Sequence, residues 1–199
     1  MKISAIDVKK LRALTNAGMM DCKKALVESQ GDFQKAKLVL KKKGQSKADS
    51  KSGRIAAHGR VSIEIEESKH LALILEINCE TDFAAKDDQF VEFSNQISNL
   101  LVNEKIENID QLLNSSISGF ERVEDFRKSV VAKLGENITI RRFARIFYQG
   151  TFGSYIHGNK IAALVDLDID DKDLAKNLAM QVAASKPQYI DQTDIPNEI

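Results

Sequence analysis

The sequence predicts an α+β protein: an N-terminal unit of three helices, then a core of two similar α+β subdomains with antiparallel sheets, the second incomplete. Three observations carry that reading. Apolar residues recur at roughly helical spacing through the first 45 positions, strict alternation starts at Val61, and the order strand, turn, strand, helix returns after residue 150. The expected boundaries are 1–45 for the helical unit, 46–59 for a linker, 60–149 for the first core subdomain and 150–199 for the second.

Within the first unit, Ile3, Ile6, Leu11 and Leu14 mark one helix, with Ser4 as its candidate N-cap. "TNAGMMD" breaks the pattern at positions 16–18, and Cys22, Ala25, Leu26 and Ser29 form the inner stripe of a second helix. "QGD" stops that helix, Asp32 caps a third, and Phe33, Ala36, Val39 and Leu40 face inward. Helices this short are marginal alone and must pack together. The stretch "GQSKADSKSGRIAAHG" that follows is small, polar and basic, as a linker is.

The core opens with "RVSIEIEESKHLALILEINC". Val61, Ile63 and Ile65 alternate with Ser62, Glu64 and Glu66, which predicts a strand burying its apolar set, and residues 71–77 return as the second arm of a hairpin. Helical spacing resumes in "DQFVEFSNQISNLLV", a short "NIDQLL" turn follows, residues 123–134 read as a helix and "GENITIRRFARIFY" as a strand. The second copy runs "GSYIHGNKIAALVDLDI", with Ile161, Ala163, Val165 and Leu167 on one face, then the helix "DKDLAKNLAMQVAAS".

The copies differ at one joint. In the second, "DIDDKDL" passes from strand to helix through acidic and turn residues alone; in the first, "CETDFAAKD" is longer and carries an aromatic. Phe83 is open to two readings, a lid on the local core, which is the commoner role for such a residue taken alone, or a contact surface; the missing counterpart brings the two toward even. Thr81 and Asp82 are equally good caps for the next helix. Met19 and Met20 have the same ambiguity. Adjacent helical residues diverge by about 100°, so one is expected in the small core and the other at a surface where a flexible thioether adapts to a partner.

At 199 residues, 43% hydrophobic and 29% charged, the chain has ordinary globular composition. No apolar run reaches the roughly 18–20 residues of a membrane span, and "MKISAIDVKK" lacks a secretory signal or transit peptide, so a bacterial cytoplasm is expected. The isolated Cys22 and Cys79 suit reduced thiols. The zero net charge hides an asymmetry: residues 1–60 hold 15 basic and 5 acidic residues, the remainder 14 and 24. Such a segregated charge suits an acidic partner, either a protein surface or nucleic acid.

Catalytic signals are weak. His58, His70 and His157 lie in linker or turns with no nucleophile beside them in sequence. "KLGENIT" holds one glycine and the phosphate-loop pattern is absent, so direct nucleotide binding is not expected. "DLDIDDKD" lacks the glycine and closing glutamate of a calcium loop. No metal, no cofactor and no catalytic residue are expected.

"LRALTNAGMMDCKKAL", "INCETDFAAKD", "LGENITIRRF", "GSYIHG" and "VAASKPQYI" occur in order and at the separations found in bacterial elongation factor Ts, a family the whole chain resembles. The resemblance implies a guanine-nucleotide exchange factor that binds elongation factor Tu, GDP-bound or nucleotide-free, and promotes GDP release without a catalytic group of its own. It implies that the three-helix unit is ubiquitin-associated-like and docks on the nucleotide-binding domain of Tu through Met19, Met20 and Lys23. Thr81, Asp82, Phe83 and Ala84 would form the exchange turn, with Phe83 wedging between helices of Tu, and His157 would lie at the same interface. Longer family members continue into a helical hairpin and a closing C-terminal segment; neither follows Ile199, so the chain reads as truncated. Two competing readings are a nucleic-acid or ribosome binder using the basic helical unit, which has Phe33 as its only aromatic for stacking, and a structural adaptor that binds without releasing nucleotide.

Overall fold

The computed structural model describes residues 3–15 and 17–196. Asn16, part of the helix break read from the sequence, and residues 197–199 of the second subdomain lie outside the described residues. The architecture is α+β, with three helices followed by a three-stranded and a two-stranded antiparallel sheet.

The helices are α1 (Ala5–Thr15), α2 (Met19–Glu28) and α3 (Phe33–Asp49). Ser4 opens α1: its hydroxyl oxygen accepts from the Asp7 amide at 3.1 Å while its own amide donates to the Asp7 carboxylate at 3.2 Å. Each of the two amides, without a partner in the helix, is thus satisfied by the other residue's side-chain oxygen. Asp32 caps α3 by accepting from the amides of Gln34 and Lys35. Val8, Leu11, Cys22, Ala25, Leu26 and Ala36 form the core, with Ile3, Phe33, Val39 and Leu40 packed against it. Ile6 and Leu14, expected inside, are exposed. At 3.6 residues per turn Ile6 and Val8 lie about 160° apart, so only one can face in, and α1 is rotated to present Val8.

Helix α3 does not stop near Gly44 as the linker composition suggested; residues 46–49 are its last turn. Packing overrides the weak local propensity there. Gly44 sits against α6 (Val123–Leu134), where an added Cβ would lie 3.4 Å from that of Ala132. The contact is laced by Gln45 donating to Asp125 at 3.3 Å and by Lys128 paired with Asp49 at 2.7 Å. Ala48 enters the main core. The helical unit is thereby seated on the first subdomain through one continuous helix.

That subdomain comprises β1 (His58–Glu66), β2 (Leu71–Cys79), α4 (Asp88–Asn103), α5 (Ile109–Asn114), α6 and β3 (Ile138–Phe147), with β2 central in the sheet. Leu73, Leu75, Ile77 and Cys79 of β2 face Phe90, Phe93, Ile97 and Leu101 of α4 and Phe126, Val130 and Val131 of α6. Phe126 sits edge-on to Phe93 at 4.9 Å and stacks on Phe120 at 4.8 Å. The expectation for β1 is reversed. Ser62 is the buried residue, opposite Leu75 and with its hydroxyl 3.3 Å from that of Ser98 in α4, whereas Ile65 is exposed and Val61 and Ile63 are half-buried on the other face. Ser94 and Ser98, both buried, leave a narrow polar strip beneath this edge strand, and a serine fits it.

The second subdomain holds β4 (Thr151–His157), β5 (Ile161–Leu167) and α7 (Lys172–Ser185). Ala163, Ala179 and Ala183 form its core with Tyr155, Ile161 and Val165. Small residues let the helix lie close: a Cβ on Gly153 would meet the Ala175 carbonyl oxygen at 2.2 Å. The β4–β5 turn meets the open edge of β1, where the Val61 amide donates to the Asn159 carbonyl at 2.8 Å.

Candidate functional site

Strand β2 ends at Cys79, and the chain makes a turn and one 3₁₀ coil (Ala84–Lys86) before Asp87 caps α4 through the Gln89 amide. Neither Thr81 nor Asp82 caps α4. Thr81 instead caps the coil, its hydroxyl oxygen accepting from the Ala84 amide at 3.2 Å. Asp82 takes a bond from Lys86 at 3.1 Å. That bond holds its carboxyl below the usual range, and the charges of Lys86 and His58 add to the effect. Phe83 is 81% exposed. The lid reading is therefore excluded: Ala84, buried beneath it, closes the local core, and the aromatic points away. A lone phenylalanine ring in water at a turn forgoes about 1.5–3 kcal/mol of burial that a partner can return.

Beneath the turn the structure is firm. The Thr81 amide and hydroxyl both donate to the Glu136 carboxylate, at 2.9 and 2.6 Å. The Asn137 amide donates to Glu80 at 2.6 Å, and Arg54 pairs with the same carboxylate at 3.5 Å. Asn137, itself buried, is tied by its side-chain amide to the carbonyls of Ser52 and Arg54. Neither Glu136 nor Asn137 is among the site residues expected from the sequence. A glutamate and an asparagine in a polar loop are ordinary by type, and their partners are more than fifty positions away.

Other expected site residues lie on separate elements. Met19 and Met20 are both exposed at the start of α2, so neither joins the helical core; Cys22 and Leu26 fill it instead. Lys23 is exposed beside them. His157 is exposed at the end of β4, its Nδ1 3.1 Å from the Tyr155 hydroxyl. His58 opens β1, paired in register with Cys79, rather than lying in a linker. Both cysteines are free and buried. Burial, reinforced by the Glu136 carboxylate, pushes the Cys79 thiol up to about 11, which keeps it protonated and poorly nucleophilic. Among the described residues no group of three or more His, Cys, Asp or Glu is placed to hold a metal, and no helix is long and apolar enough to cross a membrane. What the site offers is an apolar tip on a braced base, the equipment of a protein that works by binding another macromolecule.

Comparison with known proteins gives that class its family. A family model for elongation factor TS matches residues 80–199. Curated proteins named elongation factor Ts align along the chain: 45% identity in Alkalilimnicola ehrlichii, over all of this chain and 68% of the relative, and 42% in Thioalkalivibrio sulfidiphilus with the same coverage. That of Hamiltonella defensa is 47% identical over 99% of this chain and 66% of its own length. The chain belongs to the elongation factor Ts family. It spans about two thirds of the length of these relatives. Membership places it in translation elongation, with the exchange-factor role that follows from the family.

Proposed function

We propose that the chain binds elongation factor Tu carrying GDP and promotes release of the nucleotide, with Phe83 as the wedge and Thr81, Asp82 and Ala84 as the turn that presents it. The observation that carries this reading is Phe83 itself, 81% exposed yet standing on a turn tied before it by Thr81 to Glu136 and after it by the Ala84 amide to the Thr81 hydroxyl. His157 belongs to the same interface in this proposal, and Met19, Met20 and Lys23 dock the helical unit. The setting is the cytoplasm, no nucleic acid is required, and no membrane takes part.

Such a protein needs no catalytic group. Tu holds GDP through magnesium and backbone donors around the phosphates. A partner that binds best to a conformation in which that grip is loosened weakens nucleotide binding by the factor by which nucleotide weakens the partner's own. Phe83 supplies differential binding energy if its pocket opens only in the loosened state. A braced turn loses little of that energy to ordering.

The test is release of a fluorescent GDP analogue from Tu on mixing with the chain. The intact chain accelerates release, and Phe83→Ala slows it by about ten- to a hundredfold, the equivalent of the ring's burial. An unchanged release rate with the intact chain sinks the exchange reading. Full activity in Phe83→Ala sinks the wedge alone.

A further inference from the structure

We infer that Glu136 is a positioning residue for exchange: it fixes the turn so that Phe83 is presented in one orientation. This deepens the exchange reading and rests on it. The argument starts at the end of the sheet. The last ladder pair of β2 and β3 is Cys79 with Ile138, and beyond it the two backbones separate. Two carboxylates continue the ladder across the gap. Glu136 accepts from the Thr81 amide at 2.9 Å, and Glu80 accepts from the Asn137 amide at 2.6 Å, so each chain's side chain takes the amide of the other. Such charge-assisted bonds are stronger than neutral ones.

Glu136 does more than Glu80. Its second oxygen accepts the Thr81 hydroxyl proton at 2.6 Å, which turns the lone pairs of that hydroxyl toward the Ala84 amide at 3.2 Å. A single carboxylate therefore fixes the residue two before Phe83 directly and the residue after it through one relay. Lys86 and Asp87 close the coil from the other side, their amides donating to the carbonyls of Phe83 and Ala84. The carboxylate stands on a fixed base. Gly135, at φ 78°, turns the chain out of α6, Lys51 donates to its carbonyl, and Asn137 is held by the segment after α3. Among the described residues nothing comparable braces Phe83 through its own side chain, which is exposed. Its orientation is set by the turn, and the turn by Glu136.

Release of the fluorescent GDP analogue from Tu is measured with Glu136→Ala, Glu136→Gln, Phe83→Ala and the double variant Glu136→Ala/Phe83→Ala. Glu136→Ala is expected to lower the maximal release rate by about tenfold. The half-saturating concentration should change less, because contacts elsewhere on the chain are untouched. Glutamine can accept the Thr81 amide through its oxygen and donate to the Thr81 hydroxyl oxygen, so Glu136→Gln keeps the rate within about threefold. The double variant is expected to be no slower than Phe83→Ala alone, since without the ring there is nothing left to aim.

A full rate in Glu136→Ala, or losses that multiply in the double variant, overturns the inference; so does a Glu136→Gln variant as slow as Glu136→Ala. Amide hydrogen exchange separates this from failure of the exchange reading. If Phe83→Ala leaves release unchanged, the wedge fails, and the clamp is judged on Thr81. Its amide must lose protection in Glu136→Ala while β1–β3 keep theirs, and retained protection at Thr81 overturns the clamp. Should Glu136→Ala fail to fold, Thr81→Val, which removes only the hydroxyl bonds, must lower the maximal rate, and an unchanged rate overturns the inference.

Discussion

The two halves of the core share an order of strands and differ in what fills them. The first buries Phe90, Phe93, Phe126, Ile97 and Leu101 against a three-stranded sheet; the second rests on Ala163, Ala179 and Ala183 against two strands. The exposed aromatic turn sits on the first. An apolar tip held out in water stays in place only when what lies behind it is well packed, and the aromatic core supplies that support. In the second half the corresponding joint carries acidic residues: Asp171 caps α7 through the Leu174 amide, and Asp170 accepts from the Thr151 hydroxyl. There the two acidic residues cap the helix and tie the joint to β4.

The difference can be pressed hardest at Phe93. Fully buried between β2 and α6, it should cost about 3–5 kcal/mol on Phe93→Ala by removing transfer energy and leaving a cavity. Urea unfolding followed by far-UV circular dichroism measures this. A loss below about 1 kcal/mol would mean the first core collapses around the gap, and its contrast with the alanine core would disappear.

The second half should fail differently. Gly153→Ala drives a methyl group into the Ala175 carbonyl, which is backbone and cannot swing aside. About 1–3 kcal/mol of overpacking is expected, confined to β4, β5 and α7. Amide exchange resolved by residue is the measurement. Protection should fall in those elements and hold in β1–β3; a loss shared by both sheets would show the halves to be one cooperative unit.

Which parts of this were legible in the sequence follows from range. Asp32, Ser4 and the 123–134 helix were readable because capping and periodicity act over a few residues. The alternation at Val61 gave the pairs that share a face but not which face is covered; that depends on Ser94 and Ser98, thirty positions on. The run of α3 past Gly44 depends on Ala132. At the site, the contrast between "CETDFAAKD" and "DIDDKDL" singled out Phe83, because an aromatic in a turn is conspicuous by type. Glu136 was invisible for the opposite reason: a glutamate in a polar loop is ordinary until Thr81, 55 positions earlier, is placed against it.

The smallest expected effect belongs to Asp82 and Lys86, an exposed pair on the turn itself. The Lys86 hydrogen bond lowers the Asp82 carboxyl in the folded state, so whatever the pair contributes is present above the ordinary carboxylate value of about 3.9 and is lost as pH falls through the lowered one. Water screens exposed pairs, so global unfolding should not register the change. Amide exchange of Ala85 and Lys86, titrated from neutral to acid pH, should register it, and Asp82→Asn should flatten that profile. If Asp82→Asn instead lowered global stability as Phe93→Ala does, the turn would be part of the core rather than something the core holds out. The division of labour between the two halves would then have to be drawn elsewhere.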